Sequence, residues 1–214
     1  MKKVDITISL GNNCSTALWM KESGIKRQSF PFDWCASNID VVQKTIASGL
    51  KGFDDAFLFN KGVSADANYS TTIFKHFDPN INKFYEYYQR CAQRLFYVLE
   101  SDLKVLFVYI DSSNHKFISS VCRLAEIICE NYNQLQFSIV GIHRVQEQCE
   151  ENVQLLFEDE RLSLYQSNGN GEIAGFDFDR YPFFETCNKY DKASPSVVPP
   201  DKKANLQVKD TFTE

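Results

Sequence analysis

Two apolar runs stand out along the chain, "KVLFVYID" at 104–111 and "FSIVGIH" at 137–143. Runs so short and so continuous suit strands buried on both faces of a parallel sheet. Between them Phe117, Ile118, Val121, Leu124, Ala125 and Ile128 recur at helical spacing, with Ser112 or Ser113 as the opening residue. Strand, helix and strand with short joints make a βαβ unit. Earlier, Asp5 to Leu10 alternates weakly and reads as a strand that Gly11 turns. A helix follows from Ser15, with Ala17, Leu18 and Met20 on its buried side and Gly24 as its stop.

The remaining pattern fills in the other elements. "RQSFPFDWCAS" is an aromatic loop, with Pro31 and Asp33 marking a turn. Ser37 stands three residues ahead of Asp40, as in a capping box, and Ile39, Val42, Ile46 and Leu50 continue as a helix with Gly49 near its end. Residues 52–69 read as a loop and "YSTTIFKHF" as a strand. The clearest helix is "DPNINKFYEYYQRCAQRLFYVLESD". Asp78 suits its N-cap, Pro79 its first position, and an apolar stripe runs from Ile81 to Leu99. "VQEQCEENVQLLFEDE" reads as a short exposed helix, "RLSLYQ" as a weak strand and "SNGNGEIAG" as a turn.

The fold class that follows is α/β, a central mainly parallel or mixed sheet flanked by helices. Residues 1–186 form one domain of catalytic type, and the polar, proline-rich residues 187–214 a flexible tail.

Composition narrows the function. A net charge of -5 argues against general nucleic-acid binding, which needs a basic face. No window is apolar for long enough to span a bilayer. "GNNCS" cuts short the apolar run after "MKKVDITISL", so the start reads as a first strand and the protein as cytoplasmic. The seven cysteines are odd in number and lack C-x-x-C or C-x-x-H spacing, so neither a disulfide scaffold nor a metal site is expected. No P-loop or G-x-G-x-x-G is present, and no cofactor is expected.

The chemistry centres on Cys14, at the junction of the first strand and the first helix. Unpaired N–H groups and the positive end of the helix dipole favour a thiolate over a thiol there. With the Cys14 N–H, Asn12 and Asn13 could hold an oxyanion. The same residues also suit a plain reading, with Asn13 as an N-cap and Cys14 as an inert first-turn residue. A nucleophile needs a base. His115 falls in a helix's first turn and reads as solvated, while His76 and His143 each end a predicted strand. Asp111 ends another. Ligands bind outside the carboxyl ends of parallel strands, so Cys14, Asp111 and at least one of these histidines could share a rim. Asp111 also suits a helix cap.

"SLGNNCSTALWMKESGIKRQSFPFDW" resembles the opening of a bacterial family described as papain-like cysteine peptidases (DUF1796), which pairs an S-L-G-x-x-C turn with a P-F-D-W box about a helix later. "IFKHF" resembles that family's Phe-x-His segment, and "QRCAQRLFYVLESDLKVLFVYID" its middle section. The resemblance covers roughly residues 4 to 145. It implies Cys14 as nucleophile and His76 as partner, with a papain-like α+β arrangement as the alternative fold. An acidic residue follows that histidine in many members; here Phe77 does, and Asp78 one later.

In the box, Phe30, Pro31, Phe32 and Trp34 are expected to plug the core behind the Cys14 helix. Asp33 is expected to be partly buried against backbone N–H groups or an arginine among Arg27, Arg90 and Arg94, or else to face the cleft and orient His76. The reading is a thiol hydrolase or acyl transferase acting on a peptide, amide or thioester, with Asp111 orienting the imidazole. The alternative is a non-catalytic module that binds a glycan, peptide or protein, with "FDFDRYPFFE" at 176–185 as contact surface. Oligomeric state is left open.

Overall fold

The computed structural model describes residues 4–12, 14–22, 24–35, 37–56, 82–112, 115–145 and 153–168. Its elements are β1 (Ile6–Ser9), α1 (Cys14–Glu22), α2 (Ile39–Ala56), α3 (Asn82–Leu99), β2 (Lys104–Asp111), α4 (Phe117–Asn131), β3 (Gln136–Val145), β4 (Val153–Glu158) and β5 (Leu162–Asn168). They form one mixed sheet in the order β1-β2-β3-β5-β4. Neighbours β1, β2, β3 and β5 run parallel, and β4 pairs antiparallel with β5. The class is therefore α/β, and among the described residues the sheet is mainly parallel, not the mostly antiparallel one of the papain-like alternative.

The strand residues split by parity between two apolar layers. Ile6, Ile8, Val105, Phe107, Tyr109 and Ile139 face a large core completed by α2, α3 and α4. Leu106, Val108, Ile110, Val140 and Ile142 face a smaller cluster with Trp19 and Met20 of α1. A sheet covered on both faces needs strands apolar at nearly every position, which is why "KVLFVYID" does not alternate. Seven of the eight residues of β2 are buried. The helices opposite read as stripes: Tyr88, Cys91, Leu95 and Leu99 on α3, and Phe117, Val121, Leu124 and Ile128 on α4, are all buried. α1 differs, since Ser15, Thr16, Ala17, Trp19 and Met20 are all buried.

Several local expectations change. α4 starts at Phe117 rather than Ser112 or Ser113, and Lys116 precedes it with no side-chain cap bond. Asn38, not Ser37, caps α2: its Oδ1 accepts the Val41 N–H at 2.9 Å. The Ser37 hydroxyl instead lies against Gly11. α2 runs on through residues 52–56, past a left-handed break at Gly49 (φ 68°). The acidic segment expected as a helix contains β4 instead. Val153, Leu155 and Phe157 alternate with polar residues there, apart from Leu156, and an edge strand leaves its outer groups to solvent.

"YSTTIFKHF" with His76, the Asp78 cap, "SNGNGEIAG", "FDFDRYPFFE" and the tail 187–214 lie outside the described residues. No helix among the described residues is long and apolar enough to cross a membrane.

Candidate functional site

The carboxyl ends of β1, β2 and β3 bring Asn12, Asp111 and His143 to one rim. β1 leaves the sheet through two left-handed residues, Gly11 (φ 86°) and Asn12 (φ 72°). Gly11 is required twice over. Its φ disfavours any side chain, and a Cβ there would lie 2.2 Å from Ser37 Oγ. Asn12 is among the few non-glycine residues that tolerate this conformation. Its N–H donates to Ser37 O at 2.9 Å, and its Nδ2 donates to Asp111 Oδ1 at 2.8 Å. The Thr16 hydroxyl donates back to Gly11 O at 3.1 Å. α1 then opens at Cys14, whose side chain is partly exposed.

Asp111 is 3% exposed. It does not cap α4, which begins six residues later; its second oxygen accepts the Tyr109 hydroxyl at 2.9 Å. His143 is its register partner on β3, so the two side chains stand on the same face. The imidazole stacks on Phe117, with ring centroids 5.2 Å apart. Phe117 in turn stacks on Tyr109 at 6.3 Å. Gly141 makes room for this ladder, because a Cβ there would approach Phe117 Cζ to 3.0 Å. Burial holds the His143 imidazole below its ordinary pKa, against the pull of Asp111, and His115 adds to the lowering. An imidazole kept neutral is a proton acceptor. His115 itself is exposed, just ahead of α4.

Cys14 lies near the aromatic loop as well as the rim. Burial pushes the Cys35 thiol far up, with Asp33 and Cys14 nearby adding to the rise, and its Sγ donates to Pro31 O at 3.4 Å. The Cys14 thiol makes no hydrogen bond to His115 or His143. His76 and Asn13, the other two predicted site residues, lie outside the described residues.

Asp33 proves to be a structural residue of the loop, fully buried. One carboxylate oxygen accepts from the Lys26 ammonium and, at 2.8 Å, from the Phe30 N–H. The cation is Lys26, not one of the three arginines expected. Arg94 acts on it at longer range and donates to Ser29 O at 3.0 Å. Burial drives the Asp33 carboxyl above its ordinary pKa; Lys26 and the Phe30 bond act the other way. Phe30 and Phe32 fill the core on the α2–α4 side of the sheet, not behind α1, where Trp19 and Met20 sit.

The local signal for Asn12 was its place beside a glycine turn, which suggests an oxyanion donor. The fold commits its backbone N–H to Ser37 and one amide N–H to Asp111. Tyr109 and Phe117 had no functional signal in the sequence, since each reads as a core aromatic. Among the described residues no group of three or more histidine, cysteine, aspartate or glutamate side chains is arranged to hold a metal ion.

Fold and rim together define an α/β protein whose polar groups gather outside the carboxyl ends of parallel strands, where such folds bind ligands. Residues 5–70 match the family model described as "Putative papain-like cysteine peptidase (DUF1796)". The matched segment contains Asn12, Cys14 and Asp33, and stops short of His76, Asp111 and His143. No curated protein and no solved structure matches the chain.

Proposed function

We propose that the protein is a thiol-dependent hydrolase or acyl transferase in which Cys14 is the nucleophile. The observation that carries this reading is the junction itself. A partly exposed cysteine is the first residue of α1, directly after a left-handed turn at the carboxyl rim of the sheet. First-turn N–H groups have no partner within a helix and can receive a developing oxyanion. The family match adds the expectation of a peptide substrate, with amides and thioesters as chemical neighbours.

The Cys14 sulfur attacks the substrate carbonyl carbon while its proton passes to an imidazole. The tetrahedral oxyanion collapses, the carbon–nitrogen or carbon–sulfur bond breaks, and the imidazole returns the proton to the leaving group. Water or an acceptor nucleophile then releases the acyl group from sulfur. His76 is the imidazole the resemblance implies, and His143 is the one the rim offers. His76→Gln and His143→Gln separate them by their effect on turnover.

Iodoacetamide labelling followed by site-resolved mass spectrometry tests the reading. At neutral pH Cys14 should label faster than each of the other six thiols. Cys91 should be among the slowest, since burial pushes it up to about 11. Equal rates for Cys14 and the exposed thiols would remove the case for a nucleophile. Cys14→Ala should abolish turnover, whereas a purely binding protein would keep its ligand affinity.

A further inference from the structure

From the hydrogen bonds at the rim we infer that Asp111 is a positioning residue that acts on the Cys14 turn through Asn12. The inference rests on the hydrolase reading for its purpose, but its geometry is independent of it. Asn12 sits in the left-handed region, an arrangement that surrounding contacts must hold in place. Two bonds do so from different parts of the chain. Ser37 O takes the Asn12 N–H, and Asp111 Oδ1 takes Nδ2 at 2.8 Å.

Asp111 is itself fixed. It closes β2 in register with His143, it is almost fully buried, and its other oxygen holds the Tyr109 hydroxyl. Tyr109 is wholly buried and stacked on Phe117. A chain of contacts thus runs from the core through Tyr109 and Asp111 to Asn12, two residues before the sulfur. The geometry asks two things of residue 12: a backbone that accepts positive φ and a side-chain donor long enough to reach β2. Asparagine supplies both, and glycine only the first. Displacing a nucleophile by about 1 Å can cost about a hundredfold in rate, so holding this turn has catalytic value.

Substitutions distinguish this role from orientation of an imidazole. Asp111→Asn keeps an acceptor oxygen for Asn12 but loses the charge. Asn12→Gly keeps the backbone conformation but loses the link. The readout is the Cys14 labelling rate in each variant relative to wild type, over a range of pH. Asp111→Ala and Asn12→Gly should each slow labelling about tenfold, and the double variant no further, because both cut one connection. Asp111→Asn should stay within about twofold of wild type.

The inference is overturned if Asp111→Asn falls as far as Asp111→Ala, which would mark a charge effect on a histidine. It is equally overturned if the double variant loses the product of the two single losses, or if neither single variant changes the rate. Should Asp111→Ala fail to fold by circular dichroism, the Asp111→Asn and Asn12→Gly pair decides alone, and a slowed Asp111→Asn or an unchanged Asn12→Gly sinks it. The hydrolase reading is judged on a separate number, the ratio of Cys14 to the other six thiols in the wild-type protein. The two failures therefore look different.

Discussion

Asp33 and Asp111 are both buried carboxylates, and they differ in where their partners come from. Asp33 is held within its own loop, by Lys26 seven residues away and by the Phe30 N–H three residues away. Asp111 reaches across the fold to Asn12, 99 residues away in sequence, with Tyr109 of its own strand as second donor. The Asp33 set includes a cation, and its side chain is as deeply buried as the aromatic rings around it. Asn12 and Tyr109, which donate to Asp111, are neutral, and the carboxylate lies at the rim. A charge paired inside one loop stabilises that loop. A carboxylate bonded to a distant turn fixes where the turn sits. The first is a matter of stability, the second of position.

Asp33→Ala tests the contrast most strongly. It strands the Lys26 ammonium, whose side chain is 7% exposed, and breaking such a buried pair costs about 3–5 kcal/mol. Asp111→Ala leaves two neutral donors without their acceptor and should cost less, about 1–3 kcal/mol. Urea denaturation of the two variants checks the order. A larger loss at Asp111 would undo the comparison. Replacing the whole pair, Lys26→Met with Asp33→Leu, should recover most of the loss, because well-packed apolar residues often replace a buried ion pair without penalty.

Gly11→Ala comes next in size. A methyl group would meet Ser37 Oγ and the Phe32 backbone at a positive φ, and overpacking of this kind costs about 1–3 kcal/mol before backbone strain is added. Because the clash falls at the Cys14 turn, labelling of Cys14 should fall together with stability. Unchanged labelling in a destabilised variant would separate the turn's geometry from the reactivity of the thiol.

The smallest effect is expected from pH. The His143 imidazole is held below its ordinary value of 6.5 in the folded protein. The unfolded chain then binds its proton more readily, so this contribution to stability is complete above 6.5 and is lost as pH falls from there through the lower folded-state value. His143→Gln should remove that part of the acid sensitivity, seen as a flatter dependence of melting temperature between neutral and mildly acidic pH. A variant with the wild-type slope would show that partial burial does not hold this imidazole below its ordinary value.

Much of the fold was legible from periodicity. β2 coincides with the run "KVLFVYID" residue for residue, because a strand covered on both faces has to be apolar throughout. The stripe on α3 from Tyr88 to Leu99 matched its buried face for the same kind of reason. The misreadings fell where two patterns compete or where a partner is remote. β4 sits in a segment, 145–160, whose acidic residues suit an exposed helix, and the open edge of β5 makes it a strand. Ser37 fits a capping box, yet its hydroxyl is packed against Gly11, and Asn38 takes the cap.

At the site, Cys14 could be singled out because a glycine turn between a strand and a helix is a local signal. The roles of its neighbours could not. Asn12, a residue type that tolerates positive φ beside a glycine turn, gave no hint of the carboxylate it would meet. Tyr109 and Phe117 looked like ordinary core rings, and their ladder to His143 depends on the empty position at Gly141.

The amino-acid order by itself determined the parallel α/β class, the positions of most helices and strands, and the placing of a cysteine at a helix start. Each of these depends on residues close together in the chain. The tertiary structure alone decided that Lys26 neutralises Asp33, that Asp111 meets Asn12, and that His143 stands beside Asp111. The pairings at the rim follow from which strands become neighbours and in what register, and the Lys26–Asp33 pair from how the aromatic loop closes on itself. Residues far apart along the chain carry no local mark of the partner that strand register will bring to them.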